Sequence, residues 1–439
     1  MVSVHRKDKA NNMYRIQQED QMNGSRVALR LREQIAHFSG ELSRGLPKTA
    51  QRFVGEMLYG IQARQSVMLT EVARSLEEPI PIKKSHERLS RQLSRKGLAE
   101  KIENNLLSRA SKQIRDDTLL IIDPTDISKK YAKKMQYLAK VRDGSTGRIS
   151  EGYWICSVVG AELEREDIIP LYQRLYSAEA PEFVSENDEI LRSVDRISSY
   201  IGQRGIWVMD RGGDRNALIG PFLNKSKRFL IRLVGDRHLI CGGSARLGQD
   251  IAAGCSCPYS ETVIKEEKSQ ERIFHIDFGF RKVFLPGRKE LLYLLVVKGF
   301  GQDPLMLLTN VGLRRSRKVL WRMIQRYLRR WSIEETIRFW KQSYDVENIR
   351  VLGYIGLQNM ISLISAVTYF AARVLDVGSK LMVTAAYVLK SAKRVFGIPD
   401  FRYYAIADGL RNLFMRHPGK PYRLFRPKWL QPSPQLQLF

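Results

Sequence analysis

Two short apolar runs, Thr118-Leu-Leu-Ile-Ile-Asp123 and Gly205-Ile-Trp-Val-Met-Asp210, do most to limit the folds open to this chain. Neither alternates polar with apolar residues, so each reads as a strand buried on both faces of a sheet. A sheet covered on both faces needs helices on either side, which makes the fold class α/β. The surrounding pattern agrees: strands at 152–161 and 167–176, a helix over 184–203, a helix near 214–222 and a strand at 227–234. Ligand-binding groups of open α/β sheets gather beyond the carboxyl ends of the strands. Both runs end in Asp, so Asp123 and Asp210 are expected in one crevice.

A third carboxylate comes with unusual neighbours. The stretch from Tyr327 to Lys341 reads as one helix. At about 100° per residue, Tyr327, Arg330, Glu334 and Lys341 fall within roughly 60° of arc. A solvated helix face normally mixes charges of both signs, whereas here one acid stands among cations. That set suits a carboxylate that holds a metal while cations hold phosphates.

These residues carry a resemblance. Tyr327, Arg330, Glu334 and Lys341 match the Y-x2-R-x3-E-x6-K motif of the DDE transposases of bacterial insertion sequences, in the insertion sequence four family. Asp123-Pro-Thr resembles the family's first motif, and Asp210-Arg-Gly-Gly-Asp214-Arg its second, where Glu-Ala often stands in place of Gly212-Gly213. The resemblance spans about 115–350. It implies a ribonuclease H-like catalytic domain at 111–235 and 313–375, with a β-rich insertion at 236–312 between the second and third acids. Flanking these are a helical DNA-binding region at 1–110, with a helical packing domain without base contacts as its alternative, and a C-terminal region at 376–439 for dimerisation or DNA contact. Cut-and-paste transposition at terminal inverted repeats is the implied activity, with joining of the 3′-OH ends to target DNA. The implied partners are DNA and, in a synaptic complex, a second copy of the chain. Related proteins stack a flipped base on a Trp before Leu-Leu-Thr; here the run Asp303 to Thr309 has none, and Met306 is the nearest substitute.

Charge points to the same partner. Lys and Arg number 73 against 46 Asp and Glu, for a net charge of +27. Such an excess attracts phosphates without regard to sequence. The cations cluster beside the proposed acids: Lys129, Lys130, Lys133 and Lys134 follow Asp123, and a run from Arg314 to Arg330 precedes Glu334. Tyr327, Arg330, Lys341 and Arg211 are expected to contact DNA. Ser90-Arg91 and Ser94-Arg95, in the helical N-terminal stretch, are further candidates for phosphates.

Residues 1–20 read as a polar, unstructured lead-in with no secretory pattern. The four cysteines fit a reducing cytoplasm, and their spacing with His238 and His275 is poor for zinc. Residues 351–372 carry no charge and are long enough to span a bilayer, but polar residues interrupt them; a buried helix behind the catalytic domain is the better reading.

Three carboxylates around paired divalent cations about 4 Å apart can activate water and stabilise a leaving 3′ oxygen. Mg²⁺ is the expected ion, with Mn²⁺ able to replace it. Asp123 would bridge, and Asp210 and Glu334 would each hold one ion. Singly, each acid has an ordinary role: Asp123 before Pro124 as a turn former, Asp210 as a strand end, Glu334 paired with Arg330 or Arg338. Asp126 and Asp214 are the nearest substitutes. Jointly they favour metal-dependent phosphoryl transfer. A nuclease of the same fold without strand transfer, and a non-catalytic DNA-binding inhibitor of transposition, remain as alternatives.

Overall fold

The computed structural model describes residues 24–129, 132–144, 147–165, 167–267, 270–375, 378–380, 382–383 and 403–419. The polar lead-in, Lys130 and the tail with Trp429 lie outside the described residues. Among those described, a 10-stranded sheet runs β2-β3-β1-β5-β6-β12-β11-β10-β9, with β4 also paired to β3. Its strands are β1 (Leu119–Ser128), β2 (Ala139–Arg142), β3 (Ile149–Ala161), β4 (Ile168–Tyr176), β5 (Ile206–Met209) and β6 (Phe229–Arg232), then β9 (Tyr259–Glu267), β10 (Gln270–Val283), β11 (Leu292–Lys298) and β12 (Leu305–Thr309). A separate hairpin joins β7 (His238–Cys241) to β8 (Ser244–Leu247).

The two apolar runs become β1 and β5, neighbours in parallel. All of Leu119–Ile122 and Ile206–Met209 are buried, as strands covered on both faces must be. On the other side of β1, β3 runs antiparallel to it and β4 antiparallel to β3, while β6 lies parallel to β5. The strands expected from 236–312 extend this same sheet, because β12 pairs antiparallel with β6.

Helices cover the sheet, among them α7 (Asn216–Asn224) between β5 and β6, and a short α8 (Gly248–Ala253) follows β8. Helix α6 (Glu186–Ile201) opens at Ser185, whose hydroxyl accepts from Asp188 N, and carries Glu186, Asp188 and Glu189 in its first turn. Both features stabilise a helix start. Its Ile190, Val194, Ile197 and Ile201 are buried at helical spacing. Each such side chain contributes about 1.5–3 kcal/mol. Gly202 ends the helix at φ 66°, a conformation glycine adopts without penalty.

The N-terminal helices are α1 over 24–42, α2 (Lys48–Arg64), α3 (Leu69–Ser75), α4 (Ile82–Leu93) and α5 (Leu98–Ala110). They do not stand apart. Helix α2 is buried almost all round, and α11 (Tyr354–Tyr369) packs on α2, α5 and β4. The stretch Tyr354–Val374 is long and apolar enough to cross a membrane, yet it is almost wholly buried inside the protein. Helix α12 (Tyr403–Arg416) closes the bundle, with the Phe414 ring 5.0 Å from that of Tyr59.

Candidate active site

Asp123 and Asp210 arrive at one place by register. Leu119, Leu120 and Ile121 face Ile206, Trp207 and Val208. Continued by two residues, that alignment sets Asp123 beside Asp210. The sequence reading ended the first strand at Asp123; instead β1 runs on to Ser128, held by β3 alone. Pro124 has no N–H to offer, and it fits here because β1 has already outrun β5. Asp210 then caps the tight turn Arg211–Gly213, its Oδ1 accepting from Gly212 N at 2.7 Å. The Gly-Gly step has a steric cause: a Cβ on Gly213 would sit 2.6 Å from Met209 Cβ.

The electrostatics report the same grouping. Burial above all, with the Asp210 and Glu334 charges adding and Arg330 opposing, pushes the Asp123 carboxyl up to about 7. Asp123 therefore lies within the fields of both other acids and of one guanidinium.

Glu334 comes from a broken helix. The stretch expected as one continuous helix is α9 (Arg317–Leu328) followed by α10 (Trp331–Ser343). At the join, Arg330, Ser332 and Ile333 N–H groups bond three residues back, which tightens the turn and spoils a straight stripe. Tyr327 is 4% exposed and Arg330 7% exposed. Both were expected against DNA; in the fold Arg330 Cζ lies 5.8 Å from the centre of the Tyr327 ring, and its Nη2 donates to Glu334 Oε1 at 2.5 Å. Burial alone would weaken Arg330's basicity, but Tyr327, Glu334 and Asp123 more than offset it and hold the guanidinium charged. Its placement among acids is that of a counter-ion.

Lys341 is also engaged within the protein: its Nζ is 3.1 Å from Glu347 and 3.6 Å from Asp126. Asp126 is buried; its Oδ1 accepts from Gly144 N, and its Oδ2 has no partner. Asp214, the other substitute, is fully committed, accepting from Val234 N at 2.8 Å and Arg237 Nε at 2.6 Å. Lys129 is no surface cation, since its buried ammonium donates to the carbonyls of Val346, Glu347 and Ile349. Met306 lies in the buried face of β12, so it offers no stacking surface for a base. Arg211, Arg314, Arg315 and Lys318 are exposed. Sequence reasoning missed Lys129's structural role because a lysine run gives no sign of which member turns inward.

Asp123, Asp210 and Glu334 offer carboxylate oxygens and no thiol or imidazole, the donor chemistry of a hard divalent cation such as Mg²⁺. Among the described residues, no three His, Cys, Asp or Glu side chains lie close enough to hold an ion as they stand. The physical reason is at hand: Glu334 leans to Arg330, and uncompensated carboxylates repel.

No protein-family model and no curated protein sequence matches the chain. Among solved structures, it is similar to the piggyBac transposase in a synaptic complex with hairpin DNA, seen by cryo-electron microscopy. The identity is 12% and the TM-score 0.43, over 93% of this chain and 82% of that one. At that level of likeness the functional reading rests on the residues themselves.

Proposed function

We propose that the protein is a DNA transposase of the DDE type, which cuts DNA at the ends of an insertion sequence and joins the freed 3′-OH ends to target DNA. The observation that carries this is the common field at Asp123: a carboxyl pushed up to about 7 by burial and Asp210, with Glu334 adding and Arg330 opposing. Like charges gathered at strand ends are costly unless the site uses them. The strand order β4-β3-β1-β5-β6, with β1, β5 and β6 parallel and β3 reversed, supports a ribonuclease H-like catalytic domain at 111–235 and 313–375.

Asp123, Asp210 and Glu334 would hold Mg²⁺ through their carboxylate oxygens. When bound, the ion supplies charge neutralisation at the phosphate and a more acidic water or 3′-OH. The chain's own residues do the rest. The backbones of Asp123 and Asp210 are brought together by the register of β1 on β5, so only side-chain adjustment is asked of them. Glu334 must leave Arg330, whose guanidinium is then free to meet a phosphate oxygen. Lys341 can make the same exchange from Asp126 and Glu347 to DNA. Exposed Arg211 stands next to Asp210 and needs no release. Phosphoryl transfer asks mainly for positioning and charge, and no nucleophilic side chain is invoked.

The test uses the full chain, Mg²⁺, and labelled DNA carrying the ends that flank its gene. Wild type is expected to cut and to join the ends to a second DNA. Asp123→Asn, Asp210→Asn and Glu334→Gln are expected to bind that DNA as wild type does and to cut none of it. Cutting by all three variants would sink the site assignment. Wild-type cleavage without joining makes the protein a nuclease, and binding without either reaction makes it a DNA-binding regulator.

A further inference from the structure

The sheet places a polar row behind Asp123. Across β1 and β3, Asp123 is paired with Ser157; across β3 and β4, Ser157 is paired with Gln173. Directly opposed residues on neighbouring strands put their side chains on one face, with Cβ atoms about 4.5–5.5 Å apart. Asp123, Ser157 and Gln173 therefore stand side by side on one rung, leading from the crevice into the interior. Ser157 is 0% exposed and Gln173 1% exposed. Ser157 Oγ, Gln173 Nε2 and Gln173 Oε1 all lack a hydrogen-bond partner. Buried polar atoms left unpaired each cost about 1–3 kcal/mol, so a cluster of them calls for a use.

We infer that Ser157 and Gln173 are positioning residues for Asp123: the Gln173 amide donates to Ser157 Oγ, and the Ser157 hydroxyl donates to the Asp123 carboxylate. This rests on Asp123 being a metal-binding acid. The donor directions are consistent, because an amide N–H, a hydroxyl and a carboxylate form a chain with every link running towards the negative charge. The links are open in the structure as it stands. One rotamer change at Asp123 or Ser157, or one bridging water, closes the gap that the rung spacing leaves. The effect is to fix which carboxylate oxygen faces the ion, as groups that hold a metal ligand from behind commonly do. Asp210 already has such a support in Gly212 N; the row supplies the missing one to Asp123.

Mn²⁺ binding to the full-length protein without DNA, read from the electron paramagnetic resonance signal of free Mn²⁺, separates this from a structural role. The variants are Ser157→Ala and Gln173→Met, with Asp123→Asn as reference and melting temperature measured alongside. An orphan hydroxyl replaced by Ala costs no stability, so the melting temperature of Ser157→Ala is expected to match wild type or rise. Its Mn²⁺ affinity is expected to fall roughly 10-fold or more, the usual range for groups supporting a ligand. Gln173→Met is expected to weaken binding less, being one link further away. Wild-type Mn²⁺ affinity in Ser157→Ala, with binding lost in Asp123→Asn, overturns the inference and leaves the proposed function standing. Unchanged binding in Asp123→Asn removes the metal-site reading itself. Should Ser157→Ala fail to fold, Gln173→Met decides: unaltered Mn²⁺ affinity there refutes the row.

Discussion

Glu103 shows what a single enclosed carboxylate does to this fold. It lies on α5, accepts from Ser362 Oγ at 3.0 Å, and lines a cavity of about 430 Å³ with Arg174 and Arg196. Burial pushes its carboxyl up to about 7; the Ser362 hydrogen bond and the two guanidiniums only moderate the rise. The sign of the linkage follows. Between pH 4.5 and about 7 the unfolded chain releases this proton while the folded chain keeps it, so stability falls as pH rises through that window. Above it both states are charged and the cost is constant. Glu103→Gln is therefore expected to gain on wild type from pH 5 to pH 7 and to hold a steady advantage beyond. The gain is at most about 3 kcal/mol, since the cavity leaves the group partly accessible to water. Urea denaturation of both proteins at pH 5 and pH 8 measures it, and parallel curves at the two pH values would contradict the assignment. Nothing in the sequence marks this residue, for a Glu in a basic helical stretch reads as surface. Asp123 and Asp210 were legible for the opposite reason: each closes an uninterrupted apolar run, and a charge at the end of a buried strand has only the sheet's edge to go to.

Strands proved more readable than the helix that bears Glu334. Buried strands announce themselves by composition, and β3, β4, β5 and β6 fall within three residues of their sequence expectations, as does the start of β1. A polar stripe says that residues share a face, but not whether that face turns outward. Tyr327 and Arg330 share one that turns inward, and the α9–α10 join then separates them from Lys341. The sequence does not announce the extension of β1 past Asp123, because Pro124 reads as a strand stop. That extension has a consequence at Lys129, whose Nζ meets the carbonyls of Val346, Glu347 and Ile349 at 3.3, 2.5 and 3.2 Å. It ties the end of β1 to the turn after α10, and so ties two acid-bearing elements together. Burial pulls its pKa down to about 8, against the opposing pull of Glu347 and Asp345, so the ammonium is charged at neutral pH. Lys129→Met is expected to leave those carbonyls without their donor and to cost about 2–3 kcal/mol in urea denaturation. Lower DNA affinity without lower stability would return Lys129 to the surface role that its neighbours Lys133 and Lys134 keep.

Over the whole molecule the charge is +27, yet the cations are not equivalent. Lys129 is enclosed, Arg329 donates to the carbonyls of Glu162 and Arg165, and Arg322 pairs with Glu164. Arg211 and Arg315 stand exposed on either side of the candidate site in sequence, one after Asp210 and one ahead of α9. Only a cation that displaces counterions from DNA contributes to the salt dependence of binding, with a log–log slope of about −0.9 per phosphate engaged on duplex DNA. Arg211→Ala and Arg315→Ala are each expected to make that slope shallower by about 1, with little change in stability. Lys129→Met, in conditions where it remains folded, is expected to leave the slope unchanged although it removes the same unit of charge. Titrations of one DNA fragment at several salt concentrations, with the three variants beside wild type, distinguish contact from composition. If net charge alone drove binding, all three would shift the slope alike. A difference between the exposed arginines and the enclosed lysine means that the fold decides which part of the basic excess reaches DNA.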